Sequence, residues 1–167
     1  MSTLTYPLTC SAATVWFVVL KIVSVLIMTR TNLSRVKERT HMTAPDEKTL
    51  TTLTRLFEEE FGPIGDRQVL YVHAPGRSEI SGNHTDHEGG HVIAGSLDVA
   101  VDGIAVATDS NKVRVADEGY PTFEITLDTL DVQESEKGTS ASLVRGMAHE
   151  VAALGVEPKG FDFAFTC

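Results

Sequence analysis

The sequence predicts an α+β fold of the two-layer α/β kind, a mixed sheet with helices packed on it. Three observations predict it. From Met42 onward, stretches with helical period alternate with stretches rich in β-branched and aromatic residues. Gly-, Asn-, Asp- and Ser-bearing turns separate them. Over 167 residues the chain is 42% hydrophobic and 22% charged, ordinary values for one domain that can bury a core.

The elements follow in order. Asp46 is placed to cap a helix through its carboxylate, and Glu47 suits the positive end of the helix dipole. Leu50, Leu53, Leu56, Phe57 and Phe61 fall on one helical face, and Gly62-Pro63 stops the helix. Gln68 to Ala74 (QVLYVHA) reads as a strand. Ala74 to Gly95 reads as a long glycine-rich loop. Ser96 to Asp109 is a second strand, and Ser110-Asn111 is expected to turn it into Lys112 to Asp117 as a hairpin. Thr122 to Leu127 is a further strand, and Glu134 to Gly138 a polar surface loop. Thr139 or Ser140 begins a second helix that presents Leu143, Met147, Val151 and Leu154 to the core and ends at Gly155. Gly160 to Cys167 (GFDFAFTC) is a last strand. With no neighbour following it, Phe161, Phe163 and Phe165 are expected to form an exposed apolar edge, which makes aggregation of residues 42–167 an expectation.

Residues 1–41 differ from the rest. Ala12 to Met28 is apolar apart from Thr14, Lys21 and Ser24, and the segment carries Lys21, Arg30, Arg35, Lys37 and Arg39 against the one acid Glu38. As a membrane span the run is at the short limit, and Lys21 interrupts it. As a signal peptide it lacks a preceding positive charge. If inserted, its basic flank would hold the following domain on the cytoplasmic side. A misplaced start codon, with Met42 as the true start of a cytoplasmic protein, accounts for the compositional break as well. The domain proper is therefore taken as residues 42–167. Its acidity (the chain is −9) argues against nucleic-acid partners. Cys10 and Cys167 make neither a disulfide framework nor a zinc spacing.

The chemistry concentrates in the glycine-rich stretch. Arg77, Glu79, Asn83, His84 and Asp86 crowd together at irregular spacing. A metal site would use His84, Asp86, His87 and His91, but Gly89-Gly90 disfavours the helix that would bring His87 and His91 onto one face. A phosphate cradle would use the glycines, yet no Walker-type or G-x-G-x-x-G pattern is present. A solvated turn between strands needs no function at all. Carboxylate, amide and imidazole together can grip vicinal hydroxyls, and a nearby arginine can meet a phosphoryl group. That combination suits phosphoryl transfer to a sugar.

The stretch APGRSEISGNHTDHEGGHVIAGSLD (Ala74 to Asp98) resembles the signature of the galactokinases, which are GHMP kinases. SLVRGMAHEVAALG (Ser142 to Gly155) resembles the helix that follows in that family, and GFDFAFTC the strand before its ATP loop, so the resemblance covers about Leu50 to Cys167. It implies the N-terminal part of the GHMP kinase fold. It also implies transfer of phosphate from ATP, with Mg²⁺, to the C1 hydroxyl of galactose. By the same resemblance Arg77 lies beside the reacting hydroxyl, His84 and Asp86 hold sugar hydroxyls, and Gly82, Gly89 and Gly90 allow tight turns. Asn83 stands where the family has glutamate, and Glu79 where it has asparagine. His87 and Glu88 replace a tyrosine and an asparagine. Glu79 and Asn83 therefore count as substrate-binding candidates, either with Glu79 as a relocated carboxylate or with a preferred sugar other than plain galactose. The family's ATP loop and catalytic aspartate have no match in these residues, so the chain by itself is expected not to turn over. Two readings stay open: a galactokinase piece bearing the sugar-binding half of the site, or a non-catalytic sugar-binding or regulatory module. A zinc-dependent hydrolase is a more distant third.

Overall fold

Helix α1 (Glu47–Phe61) begins where its sequence places it, in a computed structural model that describes residues 46–82 and 91–166. The Asp46 side chain accepts the Thr49 backbone N–H at 2.8 Å, and that bond holds its carboxyl below the usual range. Leu53 and Phe57 are fully buried, Leu56 and Phe61 partly so, while Leu50 stays at the exposed rim. Gly62 ends the helix at φ +86°, its N–H donating to the Glu58 carbonyl.

Among the described residues five strands follow: β1 (Val69–Ser81), β2 (Ile93–Ala107), β3 (Lys112–Asp117), β4 (Phe123–Thr126) and, after helix α2 (Ser140–Ala153), β5 (Phe161–Thr166). They form one mixed sheet in the order β1-β2-β5-β3-β4, parallel between β3 and β5 and antiparallel elsewhere. The mixed sheet with packed helices is the predicted class, with the helices shared between its two faces. Along β3, Val113 and Val115 join the cluster of Val144 and Met147 from α2, whereas Ala116 joins that of Leu53 and Phe57 from α1. Among the described residues no helix is long and apolar enough to cross a membrane, and the run 12–28 lies outside them.

Four local expectations are corrected. β2 and β3 are not a hairpin, because β5 lies between them, pairing Ala107 with Phe161 on one side and Val113 with Phe161 on the other. The short link between β2 and β3 must therefore span two strand spacings, roughly 10 Å. It does so past the start of β5, where the Thr108 N–H donates to the Gly160 carbonyl at 3.1 Å. Second, Phe161, Phe163 and Phe165 form no exposed edge: they are 6%, 1% and 3% exposed, because β5 is central in the sheet and their side chains pack with Val144 and Met147 of α2. Third, much of the expected loop from Ala74 to Gly95 is strand, since β1 continues to Ser81 and β2 starts at Ile93. Fourth, α2 buries Val144, Arg145, Met147, Ala148 and Val151, while Leu154 is 76% exposed because the helix ends before it.

Among the described residues two charged side chains enter the interior, each paired. Asp162 on β5 is 1% exposed and takes a two-pronged bond from Arg114 on β3, at 2.7 and 2.6 Å. Arg145 on α2 grips Glu136 at 2.8 and 2.7 Å and donates to the Thr126 and Thr129 carbonyls.

Asp117, at the end of β3, is different. Burial, helped by the neighbouring Glu118 charge, pushes its carboxyl up to about 6 from 3.8. A raised carboxyl binds its proton more tightly when folded, so stability falls as pH climbs from about 4 to about 6 and stays low above that. Asp117→Asn is therefore expected to raise Tm at pH 7.5, by about 2 °C given its partial solvent screening, and to make no difference near pH 4. Thermal melts at the two pH values check it; equal gains at both would contradict the cause assigned.

Candidate functional site

Of the predicted site residues, Arg77 and Glu79 sit on the outer half of β1, where it pairs with β2, and Gly82 follows directly after β1. β1 is an edge strand, so Pro75 costs no inner-ladder hydrogen bond. The pairing slips between Pro75 and Arg77 and again between Glu79 and Ser81. Irregularities of this kind bend a hairpin and re-aim its side chains. Beyond them the arm leaves the packed core: Ile80, Ile93 and Val99 are 75%, 63% and 62% exposed.

Arg77 and Glu79, two apart on the strand, share one face. Arg77 Nη2 lies 2.8 Å from Glu79 Oε1, with the arginine side chain 53% exposed and the glutamate 15%. Their cross-strand partners are the small Ser96 and Ala94. Gly82 closes the described part of the arm at φ +95°, where a Cβ would stand 2.4 Å from the His91 carbonyl oxygen. Only glycine meets both demands. The structure thus brings Arg77 and Glu79 together and puts Gly82 at a tight approach. Asn83, His84, Asp86, Gly89 and Gly90 lie outside the described residues.

A second polar cluster was not anticipated from the sequence. On β1 and β2, the Asp102 carboxylate accepts the Tyr71 hydroxyl and lies 2.7 Å from His73 Nδ1 through the same oxygen. Burial first, and the bond to Asp102 second, hold the Tyr71 hydroxyl well above its ordinary pKa. The available signal was slight: Tyr71 and His73 alternate on one strand, and Asp102 interrupts the apolar run of the next.

Among the described residues no three His, Cys, Asp and Glu side chains converge to hold a metal ion.

Comparison with known proteins adds to this geometry. Residues 55–106, which span the arm, match the galactokinase galactose-binding signature. Galactokinase of Lactococcus lactis subsp. cremoris (strain MG1363) is 34% identical over 115 residues, covering 68% of this chain and 28% of that protein. Galactokinase of Lactiplantibacillus plantarum is 32% identical over 113 residues, covering 66% of this chain and 28% of its own length. The crystal structure of Lactococcus lactis galactokinase complexed with galactose superposes with a TM-score of 0.60 at 31% identity, over 70% of this chain and 30% of that one. The chain therefore spans under a third of the relatives it matches. Sheet, helices and signature together define an α+β protein whose fold is similar to that of galactokinase. Over the matched residues, an N-terminal partial region, the chain is similar to the galactokinases.

Proposed function

We propose that this chain carries the galactose-recognising half of a galactokinase site, which phosphorylates a hexose at its C1 hydroxyl at the expense of ATP. The observation that carries the reading is the match of the galactose-binding signature to the arm that holds Arg77 and Glu79. Arg77, half exposed on strand β1, is the group that faces the reacting hydroxyl and the transferred phosphoryl. Its forked N–H donors suit both partners. His84 and Asp86 hold neighbouring sugar hydroxyls, with Glu79 and Asn83 supplying carboxylate and amide in an order exchanged from the family pattern. Gly82, Gly89 and Gly90 supply the turns that bring them together.

In this reading the 167 residues bind sugar, while phosphoryl transfer needs an ATP loop and a catalytic base from outside them. Mg²⁺ would be bound there too. The site is cytoplasmic in this proposal, where ATP is available. Titration calorimetry of the full chain with galactose, and with glucose as control, tests it. The expected result is galactose binding that Arg77→Ala weakens by about tenfold, the loss of a charge-assisted hydrogen bond. Failure of the wild-type chain to bind any hexose would reject the proposal.

A further inference from the structure

We infer that Glu79 sets the charge selectivity of this arm, so that the Arg77–Glu79 pair favours a neutral polyhydroxyl ligand over its phosphorylated form. The inference rests on the sugar-binding reading above and names what that site selects. The pair is asymmetric. The carboxylate is set into the arm at 15% exposure, and the guanidinium, at 53%, lies over it on the solvent side, 2.8 Å away. One of five N–H donors is spent on this contact, leaving others for a ligand.

A ligand reaching Arg77 therefore meets an acceptor carboxylate beside a donor cation. A hydroxyl satisfies both, since it accepts from the guanidinium and donates to the carboxylate. A phosphoryl oxygen satisfies only the first and is repelled by the second. The cross-strand neighbours Ala94 and Ser96 carry no charge that would offset that repulsion. Two apart on a paired strand, Arg77 and Glu79 keep their side chains on one face of the arm. The consequence for a sugar kinase is a site that accepts its neutral substrate and holds the charged product weakly.

The full 167-residue chain, wild type and Glu79→Gln, is titrated with galactose and with galactose 1-phosphate. Glu79→Gln is expected to shift the ratio of the two affinities toward the phosphate by about fivefold, the effect of one carboxylate about 4 Å from an anion in water. Glu79→Asp, which keeps the charge, is expected to stay near the wild-type ratio. In the wild type the preference for galactose should narrow as salt rises to about 0.5 M. Galactose binding with an unchanged ratio in Glu79→Gln overturns this inference alone. If Glu79→Gln binds neither ligand, the salt series decides, and a preference that ignores salt overturns it. A wild-type chain that binds no sugar overturns the functional reading and this inference together.

Discussion

Gly160→Ala is expected to destabilise the protein by about 3 kcal/mol, near the upper end for overpacking, and to lower Tm by roughly 10 °C. A Cβ at Gly160 would stand 2.0 Å from the Ser110 carbonyl oxygen and 2.6 Å from that of Lys112. Both are backbone atoms, one in the link that passes from β2 to β3 and one at the start of β3, so no side chain can rotate away. Relief requires moving the link, which would break the Thr108 N–H bond to the Gly160 carbonyl and loosen β5 from one of its flanks. Since β5 holds the centre of the sheet, the loss should reach both faces. Urea unfolding followed by circular dichroism checks the size. A loss below about 1 kcal/mol would show that the link is more pliant than its geometry indicates.

Arg145→Met should cost about as much, roughly 3 kcal/mol, through charge rather than sterics. The arginine side chain is 7% exposed and the Glu136 carboxylate 17%. Removing the guanidinium leaves that carboxylate short of its partner and frees the carbonyls of Thr126 and Thr129. Those groups tie α2 to the segment that leaves β4, so the helix also loses its lateral anchor. The pH dependence follows from the bonds Arg145 donates, which hold the Glu136 carboxyl below its usual range. A depressed carboxyl contributes its stability above the ordinary glutamate pKa of about 4.3 and loses it as pH falls through the lowered value. Wild type and Arg145→Met should therefore differ most at neutral pH and converge in acid. The double change Arg145→Met with Glu136→Gln should recover part of the loss, because no unpaired charge remains. Parallel curves down to pH 3 would argue that packing, not the ion pair, is what Arg145 supplies.

Part of the candidate site could be marked from side-chain chemistry alone. Arg77, Glu79 and Gly82 were marked by residue type and motif, and the structure pairs the first two and gives the third a backbone angle that suits glycine. The Tyr71–His73–Asp102 cluster escaped because its members are spread over two strands and become neighbours only through the register that sets His73 opposite Asp102. Arg145 and Asp162 escaped for a related reason. Each is an ordinary charged residue in its own window, and burial became tolerable only once a partner nine or 48 positions away was in place.

By itself the sequence determined what short-range physics controls. It set the capped and stopped helix α1, the existence of the strands, the second helix, and a glycine-rich stretch dense in groups that suit a sugar. Tertiary structure alone decided the order of the strands. Each strand edge offers the same row of N–H and C=O groups to any partner, so local pattern cannot say that β5 enters between β2 and β3. That insertion turned the three phenylalanines from an expected apolar edge into core and made Gly160 indispensable. Tertiary pairing also decided that β1 and β2 run on together past the core, which makes an arm of a stretch that reads locally as a loop and holds Arg77 against Glu79.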